Sequence, residues 1–412
     1  MATPFFSIDM AAGAWAAYLR GVANHPEWFS TKRRDLEGYL QKRFPARHVI
    51  LLPSARLGFY LLLQSAFRPG DEVIFSTLSF PLYIKIALQI GIKPVLIDVE
   101  PEHLNMDPNE LRKAITSETK GIVVTHLFGH PAEMSEIVKI SSEWNVPVVE
   151  DCAQSYDSFY NDKETGTFGA AGIFSCSLMK APTTLGGGVL VTKDYGLFRK
   201  IKTMICQQDG HLGMFSQMMY HLKGLVSMIN SYPLPYTLLS HHVFGLIKKR
   251  NPALLRAILY AGMGMDGKTF NPSERPQLAP YQLEVGAVQF NRAREMTVLR
   301  RKNSMVLDSA MELHKDAILF KESKKSYWNY QYHVVDFGSR MNEVFDKAFK
   351  QGIHVMKEDV WDCTNYKLQG VEVRSHRVAT SRNKGLLRIP NNSFLSDQRI
   401  ERIAATLLGI LD

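Results

Sequence analysis

The sequence predicts an α/β chain: a mainly parallel sheet of seven strands flanked by helices, then a smaller α+β unit at the C-terminal end. Three observations predict it. Short apolar runs alternate with stretches of helical period from Val49 to Thr192, the pattern of βαβ units whose strands lie parallel. Small polar or charged residues stand directly after those runs. Beyond residue 300 the segments shorten, and strand-like "YHVVDF" and "GLLRIP" lie on either side of helix-like "MNEVFDKAFKQG".

Taken in order, "HVILLP" is a strand and "SARLGFYLLLQSAF" a helix capped by Ser54. "PGDEVIFS" is a turn and a strand, "LYIKIALQIG" a helix ending at Gly91, and "KPVLIDV" the next strand. "DPNELRKAI" is a helix capped by Asp107, and "KGIVVTHLFG" a strand running into a turn. "EMSEIVKISSEWN" is an amphipathic helix and "VPVVED" a strand ending in two carboxylates; "AGIFSCS" and "GGVLVTK" complete the seven. "QLEVGAVQFNRAREMTVLRRKNSMVLDSAM" reads as one long amphipathic helix leading to the C-terminal unit, which closes on the helix "SDQRIERIAATLLGIL". The expected division is a large domain over 1–300, carrying an insertion at 210–270, and a small α+β domain over 301–412.

The 412 residues, 45% hydrophobic and 22% charged, allow two or three domains with ample core. The opening "MATPFFSIDMAAGAWAAYLRG" lacks a basic stretch before its apolar residues, so no secretory signal is expected. Cys152, Cys176, Cys206 and Cys363 are scattered without CxxC spacing. Neither a disulfide framework nor a metal site is expected, and a reducing, cytoplasmic setting fits. The net charge of +9 is the only feature that would favour nucleic acid, and no aromatic–basic stripe accompanies it. No nucleic-acid partner is expected.

That charge is unevenly placed. The stretch 210–265 holds no Asp or Glu, while Lys223, Lys248, Lys249, Arg250 and Arg256 supply five positive charges. Its apolar residues are large, and Pro233 and Pro235 interrupt the uncharged run, which argues against a spanning helix. Apolar helices edged by Lys and Arg suit an anionic membrane surface, here the inner face. A helical hairpin buried at a dimer interface, or a lid, would use the same composition.

Ser54, Phe80, Asp151, Ser175 and Lys180 all fall just after strands, where ligands of parallel sheets bind. A lysine seldom ends a buried strand, yet "FSCSLMKAPTTLGGG" delivers Lys180 there. Asp151 would hold a proton on a heterocyclic nitrogen, and Gln154 would donate to a phenolic oxygen. The helix starting at Ser54 offers N–H groups and a dipole suited to phosphate. Ser175 adds a hydroxyl and Phe80 a flat face. Phosphate, pyridinium, phenolate and an amine that captures an aldehyde together describe pyridoxal 5′-phosphate. Singly, each residue also serves as a cap, a loop carboxylate, a turn or core.

From Ser54 to Asp194 the chain resembles the DegT/DnrJ/EryC1/StrS sugar aminotransferases, a branch of the fold-type I pyridoxal-phosphate enzymes. "PGDEVIFSTLSF", "GIKPVLIDVEPEHLNMDP", "THLFGHPAEM", "VVEDCAQS" and "FSCSLMK" carry the resemblance, with weaker matches at "YQLEVGAVQF" and "LLRIPNNSFLSDQRIERI". It implies Lys180 as the catalytic lysine. Cofactor contacts would come from Ser54, Ala55, Arg56, Phe80, Asp151, Gln154, Ser175 and Lys180. It also implies a homodimer, L-glutamate as amino donor, and a keto sugar or other ketone as acceptor in sugar or polysaccharide biosynthesis. A sugar 3-dehydratase branch carries histidine in place of the lysine, so Lys180 favours transamination. The chain departs from the family pattern at Ser54-Ala55-Arg56, where Ser-Gly-Thr is usual; Arg56 either pairs with the phosphate or points outward. It departs again at Gly186, where the family has an acid, and at Gln208–Gly210. Near Arg275 and Gln277 the usual Asn-Tyr-Arg stretch has no match. A silent relative docked on a membrane, or a pyridoxal-phosphate enzyme of another reaction type, are the competing readings.

Overall fold

The computed structural model describes residues 2–4, 8–23, 26–45, 47–206, 225, 232–259, 269–272 and 278–412. Two helices open the chain, α1 (Ala14–Ala23) and α2 (Pro26–Arg43). Then come β1 (His48–Leu52), α3 (Ala55–Ala66), β2 (Glu72–Ser76), α4 (Pro81–Gln89) and β3 (Lys93–Ile97). They are followed by α5 (Pro108–Ala114), β4 (Thr119–Thr125), α6 (Met134–Glu143) and β5 (Val148–Asp151). A short hairpin, β6 (Phe159–Tyr160) and β7 (Lys163–Glu164), precedes β8 (Ala171–Ser175), β9 (Gly188–Thr192) and α7 (Tyr195–Cys206).

The large sheet runs β1-β9-β8-β5-β4-β2-β3 and ends in an eighth strand, Glu372–Val373. β9 is antiparallel to both neighbours, and the other pairs are parallel. The seven expected strands are all present. The eighth comes from the C-terminal part of the chain; at two residues it is too short to leave a periodic pattern. Arg374, next to it, is bound by Glu72 at 2.8 Å, which ties that part to the sheet edge.

Both faces of the sheet are covered. In β2, Val73 and Phe75 enter the core shared with α3 and α4, while Ile74 enters the core under α5 and α6. Period-2 alternation with apolar residues on both sides explains why these strands read as continuous hydrophobic runs. Ser54 accepts a hydrogen bond from the Leu57 N–H at 3.1 Å and so starts α3, a cap that contributes about 1 kcal/mol.

The long helix expected from residue 282 is two helices, Pro280–Asn291 and Ala293–Met311. They part at Arg292, whose φ of −105° and ψ of 5° leave the helical range. The first helix is buried almost all round, under α1 and α2, whereas the second buries one stripe. Two different packing surfaces require a change of direction between them.

Helical segments Pro233–Pro235, Tyr236–His241, His242–Arg250 and Pro252–Leu259 represent the insertion among the described residues. Tyr236 and Leu255 are buried with Trp328, Tyr332 and Trp361 of the C-terminal part. That part has a four-stranded antiparallel sheet in the order Ile318–Leu319, His333–Asp336, Leu386–Ile389, Met356–Lys357. Helices Met341–Lys350 and Asp397–Leu411 supply core residues against it.

Candidate functional site at the carboxyl ends of the strands

Asp151 ends β5 and is 2% exposed. Its carboxylate accepts the Ala153 N–H at 3.0 Å and the Thr125 hydroxyl at 3.3 Å. Thr125 is its register partner on β4. Burial pushes the Asp151 carboxyl up to about 6, opposed by the Ala153 hydrogen bond and by the charge of Lys180.

Lys180 lies in the loop between β8 and β9, half-buried, and its Nζ donates to the Tyr332 hydroxyl at 2.8 Å. Gln154, buried three residues after Asp151, accepts the Phe128 N–H through Oε1 at 2.9 Å. Its amide nitrogen keeps two donors by chemistry. Asn329 holds the loop by donating to the carbonyls of Gln154 and Tyr156 at 2.9 and 2.8 Å.

Ser54 bridges to Gly187, so the start of α3 abuts the glycine run after Lys180. A Cβ on Gly188 would come within 2.7 Å of the Ala55 nitrogen and 2.8 Å of its Cα. Only glycine allows the loop this close to the helix start, where the first N–H groups lack helical partners. Ser54 Oγ serves as acceptor for Leu57 and keeps its own proton to donate. Arg56 is half-buried near Tyr83, whose hydroxyl burial pushes well up and Arg56 partly brings down. Phe80 caps α4, edge-on to Tyr83 at 5.2 Å and 6.2 Å from Trp361. Ser175 ends β8 and accepts the Ser177 N–H at 3.4 Å. Gln208–Gly210, Arg275 and Gln277 lie outside the described residues.

Five residues near the lysine escaped the sequence reading. Tyr332 touches it, and Gln331 binds its two neighbours, accepting the Ala181 N–H and donating to the Met179 carbonyl at 2.9 Å each. The Arg388 guanidinium lies over the Tyr332 ring at 4.2 Å and pairs with buried Glu358 at 3.1 Å. Trp361 donates its indole N–H to Glu358. Burial pushes the Glu358 carboxyl up, with Arg388, Trp361 and Lys180 opposing. One clue was available: Arg388 is the charged residue of the otherwise apolar strand Leu386–Ile389.

His126, Glu150 and Cys152 also converge, all buried. Glu150 accepts the N–H groups of Gly166, Phe168 and Gly169 at 2.6–2.7 Å and lies 3.2 Å from His126. His126 in turn accepts the Ala132 N–H at 3.1 Å. These bonds brace the strand end beside Asp151.

The arrangement fits pyridoxal phosphate. A buried carboxylate with two donors already in place is the setting that a protonated pyridine nitrogen requires. The start of α3 offers backbone N–H groups and a dipole to a phosphate, and an amine lies within the electrostatic reach of Asp151.

Residues 16–224 match the DegT/DnrJ/EryC1/StrS aminotransferase family. GDP-perosamine synthase of Escherichia coli O157:H7 is 33% identical over 175 residues, 42% of this chain and 48% of that protein. L-glutamine:2-deoxy-scyllo-inosose aminotransferase of Micromonospora echinospora is 37% identical over 131 residues, 32% of this chain and 31% of that protein. The chain thus aligns with half or less of the length of these curated relatives. Over the whole chain the fold resembles the aminotransferase TlmJ from Streptoalloteichus hindustanus, with a TM-score of 0.76, 18% identity, and 100% and 99% of the two chains covered. Helicobacter pylori PseC, an aminotransferase of pseudoaminic acid biosynthesis, gives 0.76 at 17% identity with the same coverage. With the matched region covering half of the sequence and the strand-end residues in place, the chain belongs to the DegT/DnrJ/EryC1/StrS aminotransferase family.

Proposed function

We propose that this protein is a pyridoxal-phosphate-dependent aminotransferase that moves an amino group from L-glutamate to a keto sugar, nucleotide-linked or lipid-linked. The observation that carries the reading is buried Asp151 at the end of β5, within the electrostatic reach of Lys180, whose loop runs on to Gly187 against the start of α3. In this reading residues 1–300 hold the cofactor, 301–412 close over it, and the working form is a homodimer.

Ser54, Ala55, Arg56 and Ser175 would hold the phosphate, Phe80 would cover the ring, and Gln154 would donate to its phenolic oxygen. Pyridoxal phosphate, when bound, supplies an electron sink for the carbanion that forms when the donor loses its α-proton. Asp151 keeps a proton on the ring nitrogen. Lys180 would be the amine that holds the cofactor's aldehyde. Its Nζ would also serve as the base that takes the donor's α-proton and as the acid that returns it. The surrounding wall of Phe80, Trp361 and Tyr332 excludes water.

Visible spectra of the protein with pyridoxal phosphate, before and after an amino donor, test this beside Lys180→Ala. The expected result is a lysine-dependent band that L-glutamate bleaches. L-glutamine, named for one relative, is the alternative donor to compare. A well-folded protein with no such band would overturn the proposal and favour a silent relative.

We further infer that the insertion rests on an anionic membrane surface. Leu234, Leu238, Val243, Leu246, Leu254 and Ile258 are all exposed, and exposed Lys249 and Arg250 end the helix His242–Arg250. An apolar face edged by cations suits lipid headgroups. Among the described residues no helix is long and apolar enough to cross a membrane. Flotation with phosphatidylglycerol-containing vesicles should carry the protein up, and Leu238→Glu with Leu246→Glu should abolish it. No flotation of the parent protein, with dimer dissociation in the variant, would assign the face to a second copy.

A further inference from the structure

The loop carrying Lys180 is gripped by two consecutive residues from the far end of the chain. Gln331 binds the backbone on both sides of the lysine: its Oε1 accepts the Ala181 N–H and its Nε2 donates to the Met179 carbonyl, both at 2.9 Å. Tyr332 takes the side chain itself, with Oη 2.8 Å from Nζ. The polarity of that contact is fixed by a third atom. The Met179 carbonyl can only accept, and it lies 3.5 Å from the Tyr332 hydroxyl. The phenol proton therefore points to Met179, and the phenol oxygen accepts an N–H from Lys180.

The ring is held in its turn. Arg388 lies 4.2 Å from the ring centroid, its Nε is 3.1 Å from Glu358, and the Trp361 indole donates to the other Glu358 oxygen. Gln331, Tyr332, Glu358 and Trp361 are all buried. A stacked guanidinium fixed by a buried carboxylate leaves the phenol little freedom to turn.

We propose that Tyr332 is a catalytic residue that orients the Lys180 amine, with Gln331 and the Arg388–Glu358 pair as positioning residues. An amine has one lone pair. With one N–H committed to Tyr332, the lone pair is turned away from the phenol and left to the open side of the cleft. So placed, the nitrogen would be free to take up an aldehyde and to carry a proton to and from carbon. Tyr332 gains and loses no proton in this scheme. Its contribution is orientation of the reacting nitrogen, an effect of the kind that positioning supplies.

The inference rests on Lys180 being the cofactor lysine, and the experiment separates the two. Cofactor-free protein is mixed with pyridoxal phosphate, quenched with borohydride at intervals, and the modified Lys180 peptide is counted by mass spectrometry. Failure of the parent protein to be modified at Lys180 overturns the cofactor reading and this inference with it. If the parent is modified, Tyr332→Phe should be captured at least fivefold more slowly, and its band should bleach at least tenfold more slowly with the donor. Tyr332→His, whose ring nitrogen can accept an N–H, should recover part of the rate. Arg388→Met should slow capture less than Tyr332→Phe does. Equal capture and bleaching in parent and Tyr332→Phe would overturn the role, because a packing function needs only the ring.

Discussion

Thr125 Oγ1 lies 3.3 Å from Asp151 Oδ2, on the adjacent parallel strand at the same register. The hydroxyl steadies a charge that its surroundings disfavour, since burial raises the Asp151 carboxyl to about 6. An acid with a raised native pKa binds its proton more tightly folded than unfolded. Stability without cofactor therefore falls as pH rises from the unfolded value through about 6 and then levels. Asp151→Asn should stabilise cofactor-free protein at pH 8 by roughly 2 kcal/mol while losing cofactor. Denaturant unfolding of both forms checks the first part; spectral titration checks the second. In the parent, cofactor affinity should weaken below pH 6, where Asp151 gains its proton.

The Arg388–Glu358 pair makes an opposite prediction for stability. Removing one partner strands a buried charge. Arg388→Met should cost about 3–5 kcal/mol at pH 8. Because burial already raises the Glu358 carboxyl, acidification should return part of that loss by protonating it. Thermal unfolding of the variant at pH 8 and pH 5.5 checks this, with a smaller deficit expected at the lower pH.

His354 joins the insertion to the C-terminal part: Tyr236 bonds its Nδ1, and His241 Nδ1 lies 3.0 Å from its Nε2. Burial, then the charges of His241 and Lys248, bring His354 down to about 3. A depressed histidine favours folding above its unfolded pKa and loses that contribution as pH falls. The loss at pH 5 should be about 2 kcal/mol. Protection factors in 233–259, exchange rates taken relative to the intrinsic rate at each pH, should fall between pH 7 and pH 5, and much less in His354→Phe.

Gly188 tests the helix start. A methyl group there meets backbone, Ala55 N at 2.7 Å and Phe174 O at 3.0 Å, and backbone cannot swing aside. Gly188→Ala should push the loop off α3 and weaken cofactor binding at least tenfold, read by spectral titration.

The strands that carry Asp151 and Ser175 were legible because each is an apolar run closed by a polar residue. Ser54 and Asp107 were legible as caps, and both accept a backbone N–H in the structure. Tyr332 was not legible. It stands 152 positions from Lys180, and a contact between distant segments leaves no local pattern; "YHVVDF" reads as a strand whatever the phenol touches. The break at Arg292 escaped for a related reason, because apolar spacing continues through it and only the packing surface changes. The eighth strand was hidden by its length.

The grip of Gln331 and Tyr332 on the lysine loop also has a consequence in time. A ribosome emits this chain from its N-terminus, so the sheet, Asp151 and Lys180 emerge well before residue 331. Until the C-terminal strand docks, nothing from that end steadies the amine. Under the role proposed for Tyr332, a chain lacking that segment would expose a lysine that the folded protein holds. Readiness of the amine would then wait on the docking of residues 331 and 332.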